Sequence, residues 1–166
     1  MEEIIQLNSQ AQLSEHFKLG EFTKSGSHPE VYNIPSHEAI DNLKRLCGWL
    51  EVLRKRYNES YQTTPDPSYS GGESPIIINS GYRSPQLNRK VGGVSTSNHL
   101  SGCAVDIRVY GKEQLLRYAT ILLDYADETH QDFDELLLEK GSHGKLWLHF
   151  AVRPTGNRRK IDFLTV

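Results

Sequence analysis

Two heptapeptides limit most strongly what this chain can become: CAVDIRV at 103–109 and LWLHFAV at 146–152. In a β-strand, neighbouring side chains point to opposite faces of the sheet. Cys103, Val105, Ile107 and Val109 therefore share an apolar face, with Ala104, Asp106 and Arg108 on the other. In the second strand Leu146, Leu148, Phe150 and Val152 face one way, and Trp147, His149 and Ala151 the other. Asp106 and His149 are thus both turned away from the core by strands that must bury their opposite faces. If the two strands are neighbours, these side chains meet on one surface. His99 precedes the first strand by a short glycine-containing turn, so it is able to fold back over the same point.

The rest of the chain supplies a core for that sheet. SHEAIDNLKRLCGWLEVLRKRY places apolar residues at 40, 43, 47 and 50 and at 46, 53 and 57, which is helical spacing, and Ser36 after Pro35 is the N-cap. A second helix is expected over about 112–128, with Leu115, Leu116, Ala119, Leu122 and Leu123 as its core stripe. Between them, a short buried strand is expected at Ile76–Ile78, and Ser84-Pro85 is read as the cap and first residue of a brief helix. Residues 16–35 are read as irregular structure packed over the core, and about 59–75 as a long surface loop rich in Pro, Gly and Ser. DELLLE and LWLHFAV form a hairpin around KGSHGK, and KIDFLTV is a last short strand. Helices come early and in the middle while strands cluster late, so the expected class is α+β: one domain over residues 1–166, with a small, mostly antiparallel sheet packed against helices.

Pattern also sets the hairpin register. Leu136 and Leu138, facing the core, should pair with Phe150 and Leu148, because a one-residue slip would put leucines against the polar face. Glu139 then stands opposite Trp147 and diagonal to His149, roughly 7–8 Å away between backbone positions. That is too far for an assumed ligand but well placed for a group acting on a water beside one.

Composition removes several classes of function. Nineteen basic residues against 21 acidic ones leave a net charge of −2, which gives no bulk attraction to nucleic acid or an anionic membrane. No apolar run approaches the length of a membrane span. The acidic, polar start MEEIIQLNSQ lacks the pattern of a secretory signal, so the expected location is cytoplasmic as synthesised. Two cysteines, Cys47 and Cys103, make neither a disulfide framework nor a zinc-finger spacing. Strand alternation turns Cys103 inward, away from any metal.

Two imidazoles and one carboxylate, with one open position, are a catalytic zinc set. The blocks that carry it also resemble a known family. SNHLSGCAVDIRV fits His-x-x-Gly-x-Ala-x-Asp, LWLHFAV fits the later Trp-x-His, and INSGYRSPQLNRKVGG resembles a third block upstream. Together they look like the zinc D-alanyl-D-alanine carboxypeptidase and phage-endolysin peptidase family, whose fold is shared with the hedgehog signalling domain. The likeness runs from about HFKLGEF to the C-terminus and is closest to the short phage and prophage-type branch.

The resemblance implies Zn²⁺ held by His99, Asp106 and His149, and peptidoglycan stem peptides as substrate. It implies that Arg83 binds substrate or stabilises a developing oxyanion. Several members carry an acid three residues before the last histidine, where this chain has Leu146, and Glu139 is the nearest candidate for the general base. Trp147 is read as a wall of the cleft, and His143 as a residue that could orient substrate or water. The expected state is a monomer. Each residue also has a plainer reading: His99 as a loop histidine, Asp106 as a partner of Arg108 or Arg83, His149 as a structural histidine, Glu139 as a solvated acid, His143 as a hairpin-loop residue. The rival function is a zinc-binding module with weak or no hydrolysis, serving as a wall-binding or structural part of a phage or secretion particle.

Overall fold

The computed structural model describes residues 7–61 and 73–166. Its elements follow in order: α1 (Leu19–Thr23), α2 (His37–Ser60), β1 (Ile78–Ser80), α3 (Pro85–Lys90), a 3₁₀ turn (Asn98–Ser101), β2 (Ala104–Arg108), α4 (Gly111–Thr129), β3 (Glu135–Lys140), a second 3₁₀ turn (Ser142–Gly144), β4 (Leu146–Ala151) and β5 (Lys160–Thr165). The strands lie in the order β1-β2-β4-β3-β5. All neighbours are antiparallel except β3 and β5, which run parallel. The architecture is α+β.

The long helix starts where its sequence says. Ser36 Oγ accepts the Ala39 backbone N–H at 3.1 Å, satisfying a donor that the first helical turn leaves without a partner. From there Ile40, Leu43, Leu46, Cys47, Leu50 and Leu53 are buried on one stripe. The α4 stripe, Leu115, Tyr118, Ala119, Leu122 and Ala126, packs beside it. Both helices cover the sheet face formed by Val105, Ile107, Leu136, Leu138, Leu148 and Phe150, giving one continuous core. Trp49 joins the layers, with ring centroids 5.0 Å from Tyr125 and 5.3 Å from Phe150. Among the described residues, no helix is long and apolar enough to cross a membrane.

The expected hairpin register is the observed one. Leu136 pairs with Phe150, Leu138 with Leu148 and Glu139 with Trp147. On the neighbouring ladder Asp106 stands directly opposite His149.

Four expectations need correction. Leu116 is 54% exposed, because the buried face of α4 runs through Leu115, Tyr118 and Leu122, and Leu116 sits on its flank. The strand expected at 76–78 is paired over Ile78–Ser80 instead; Ile76 is buried, but the ladder with β2 begins only at Ile78. Helix α2 runs through Ser60, past the expected start of the surface loop at about 59, and Asn58 holds both the N–H and the carbonyl of Ser74. Residues 62–72 of that loop lie outside the described residues. Finally, the segment 16–35 packs over the core as expected, burying Phe17, Leu19 and Phe22, but it is not wholly irregular, since it contains the helix α1.

Two glycines shape the polar face of the sheet. Gly81 passes so close to α1 that a Cβ there would lie 2.7 Å from the backbone of Phe22. Gly102 closes the 3₁₀ turn that carries His99, with φ +73, and a Cβ on it would lie 2.5 Å from the Ala39 carbonyl oxygen. Gly156 has a similar φ of +70 with nothing near its missing Cβ, so it serves as a control. Gly156→Ala is expected to cost the left-handed backbone term of about 1–2 kcal/mol, whereas Gly102→Ala adds a steric clash and should be clearly more destabilising in urea unfolding. Equal losses at the two positions would show that the Gly102 contact with α2 matters little.

Candidate metal centre

Three elements bring the expected ligands together. Asp106 comes from β2, His149 from β4, and His99 from the 3₁₀ turn that Gly102 folds back over β2. One donor atom from each lies within 4.8 Å of the other two. The His99 and His149 rings stand 5.2 Å apart at 66°, so they approach the carboxylate from different directions.

Each ring is already committed on one side. His99 Nδ1 donates to the Gly81 carbonyl at 2.6 Å, which requires the proton on that nitrogen. Among the described residues Nε2 of His99, which is buried, finds no hydrogen-bond partner, and it looks at Asp106 Oδ2 from 3.4 Å. A ring lone pair against a carboxylate is repulsive unless a proton or a metal cation lies between them. His149 Nδ1 is 3.0 Å from Asp106 Oδ1, and its Nε2 is 3.1 Å from Glu135 Oε1. The donor set of two imidazoles and a carboxylate, with one buried nitrogen lacking a partner, fits a zinc ion.

The electrostatics follow from the same contacts. Burial works against ionised Asp106, but the proximity of His99 and the hydrogen bond from His149 outweigh it and hold the carboxyl below its usual range. Burial likewise works against a charged His149, yet its bonds to Asp106 and Glu135 push its pKa up to about 9. Glu139 is raised, first by burial and then by the negative charge of Asp106. Glu135 is lowered by its hydrogen bond to His149, against an opposing effect of burial.

Arg83 enters from the loop after β1. Its Nε donates to Ser80 Oγ at 3.2 Å, one terminal nitrogen donates to Asn88 Oδ1 at 3.1 Å, and the other lies 3.4 Å from Asp106 Oδ2. Its backbone N–H donates to the His99 carbonyl at 3.0 Å. The guanidinium is therefore fixed in place beside the ligand cluster, and the ion pair with Asp106 foreseen as its plainer role coexists with that position. Trp147 is half-buried on the site face of β4, packed over Gly141, where a Cβ would lie 2.8 Å from the indole. His143 is exposed in the hairpin turn with φ +61, and among the described residues it makes no hydrogen bond or ion pair with the ligand cluster. Cys103 is buried, as alternation required.

Glu135 and Asn98 were not singled out from sequence. Alternation from Leu136 and Leu138 places Glu135 on the same face as Glu139, and both flank Leu137, the residue opposite His149. The signal was present in the register.

In chelated protein, His149 contributes stability that is complete below its ordinary pKa of about 6.5. That contribution is lost as pH rises through about 9, because the folded state then gives up the proton that Asp106 and Glu135 held. Denaturant titrations of chelated protein from pH 6 to pH 10 should show this decline. His149→Gln should remove it, and an unchanged decline in that variant would assign it to another group.

No curated protein matches the chain. A family model described as Peptidase M15 matches residues 68–127, a stretch that takes in Arg83, His99 and Asp106 and ends before β3 and β4. That match is consistent with the zinc D-alanyl-D-alanine carboxypeptidase family that the sequence blocks resemble, and it places residues 68–127 within the Peptidase M15 pattern.

Proposed function

We propose that this chain is a zinc peptidase that hydrolyses peptide bonds in peptidoglycan stem peptides. The observation that carries the reading is the convergence of His99, Asp106 and His149 on one point, with His99 Nε2 buried and unpartnered. The Peptidase M15 match supports it from an independent direction. His99, Asp106 and His149 would hold the zinc, which when bound would polarise a carbonyl as a Lewis acid and lower the pKa of a water.

The remaining work falls to this chain's own side chains. Glu139 is the proton acceptor: burial and the nearby Asp106 charge raise its proton affinity, which suits a base that must later return the proton to the leaving amine. Glu135 is poorly suited to that task, since one of its oxygens already accepts from both His149 and Asn98. Opposite pKa shifts on two carboxylates of one strand are a useful guide to which acts as base and which holds structure. Arg83 steadies the scissile carbonyl or a terminal carboxylate of the peptide, because a guanidinium held by Ser80 and Asn88 presents its donors without reorganising. Trp147, directly opposite Glu139 on the β3–β4 ladder, walls the cleft.

Purified peptidoglycan incubated with the protein should yield new amino and carboxyl termini, read by mass spectrometry of the muropeptides. Glu139→Gln should keep zinc content and fold while lowering that release by about 10²–10⁴-fold, the range for a lost general acid–base group. Near-normal turnover in this variant would remove Glu139 from the role.

Arg83→Lys should keep zinc and lower release by about 10²-fold or more, since lysine keeps charge but loses the planar fork. Intact muropeptides from walls of several cross-link types, with zinc bound throughout, would favour the non-catalytic wall-binding module instead.

A further inference from the structure

We propose that Glu135, clamped by Asn98, is a positioning residue that determines which nitrogen of His149 faces the metal. The inference rests on the zinc reading above and adds a residue to it. Glu135 Oε1 lies 3.1 Å from His149 Nε2, on the side of the ring away from Asp106. A carboxylate there accepts the Nε2 proton and leaves Nδ1 as the donor that turns toward Asp106 and His99. His99 makes the opposite choice, because Gly81 takes its Nδ1 proton and frees Nε2. The two imidazoles are thus set as different tautomers by two different acceptors.

An acceptor only orients a ring if it is itself held. Asn98 Nδ2 donates to Glu135 Oε1 at 2.6 Å and to Asp134 Oδ2 at 2.8 Å. The amide is oriented by Arg153, whose Nε donates to Asn98 Oδ1 at 2.9 Å. Asp134, fully buried, accepts from Arg158 through both oxygens at 3.0 and 2.8 Å, and the same guanidinium lies 3.5 Å from Glu135 Oε2. Asn98 also directly precedes His99 in the 3₁₀ turn. One amide therefore ties the turn carrying one ligand to the carboxylate that orients the other. Residues that orient a metal-binding imidazole commonly change affinity by about 10–100-fold when removed.

The test is zinc affinity, measured by chelator competition on the full chain, together with ¹⁵N shifts of the His149 ring in zinc-loaded protein. Glu135→Ala should weaken zinc binding by about 10–100-fold. Glu135→Gln should stay within a few-fold of the parent, because its amide oxygen still accepts the Nε2 proton. In the unsubstituted protein His149 should be protonated at Nε2 and metal-bound at Nδ1. Parent-like affinity in Glu135→Ala overturns the inference, as does an equal loss in the alanine and glutamine variants, which would mean that charge rather than orientation is at work. Metal at Nε2 of His149 in the parent overturns it even if the alanine variant fails to fold. An unsubstituted protein that binds no zinc overturns the metal reading itself, and this inference with it.

Discussion

Asp106 and His149 are direct partners across the β2–β4 ladder, and the site exists only while that pairing holds. Directly opposed residues share a face and stand close enough for their side chains to touch. A slip of one residue would send one of them into the layer formed by Val105, Ile107, Leu148 and Phe150 against the helices. Burying those four apolar side chains disfavours the slip strongly, so the hydrophobic effect on one face fixes the geometry of charged groups on the other. The Leu136–Phe150 and Leu138–Leu148 pairs extend the same constraint to β3, which brings Glu135 and Glu139 to the site.

A site with this many carboxylates near one another needs its acids kept in distinct roles. Asp134 is held ionised, its pKa lowered to about 2 as Arg158 and Asn98 outweigh burial, so it serves as an anchor. Glu135 accepts from His149 and Asn98 through one oxygen, with Arg158 beside the other. Asp106 faces both imidazoles and Arg83. Glu139 alone among these has its proton affinity raised, with Arg83 near enough to feel its charge. Arg83 is itself lowered, mainly by burial. Low local dielectric makes each of these contacts stronger and each unpaired group more costly.

Much of this was legible in the sequence because it follows from periodicity. Alternation in CAVDIRV and LWLHFAV assigned faces to Asp106 and His149, and the leucines of β3 set the register that the structure has. Ser36 and Ser84 announced their helices through capping chemistry, and both make the expected bonds. Features that depend on tertiary contacts were not legible. The parallel pairing of β5 with β3 depends on how the turn at 153–159 is anchored, through Arg159 N–H to the Phe133 carbonyl and Arg158 to Asp134. The Asn98 clip joins residues 36 and 37 positions apart, a link that no local pattern encodes. Leu116 satisfied a helical stripe in sequence, yet it sits on the flank of α4 and stays exposed.

The central claim is that His99, Asp106 and His149 form one zinc site, and zinc K-edge X-ray absorption on protein loaded with one equivalent tests it most directly. The account predicts a first shell of nitrogen and oxygen at about 2.0–2.1 Å, with the outer-shell scattering of two imidazole rings. Asp106→Asn and His149→Ala should each disturb that shell. A sulfur shell near about 2.3 Å, a spectrum with one imidazole or none, or one unchanged in either variant would contradict it.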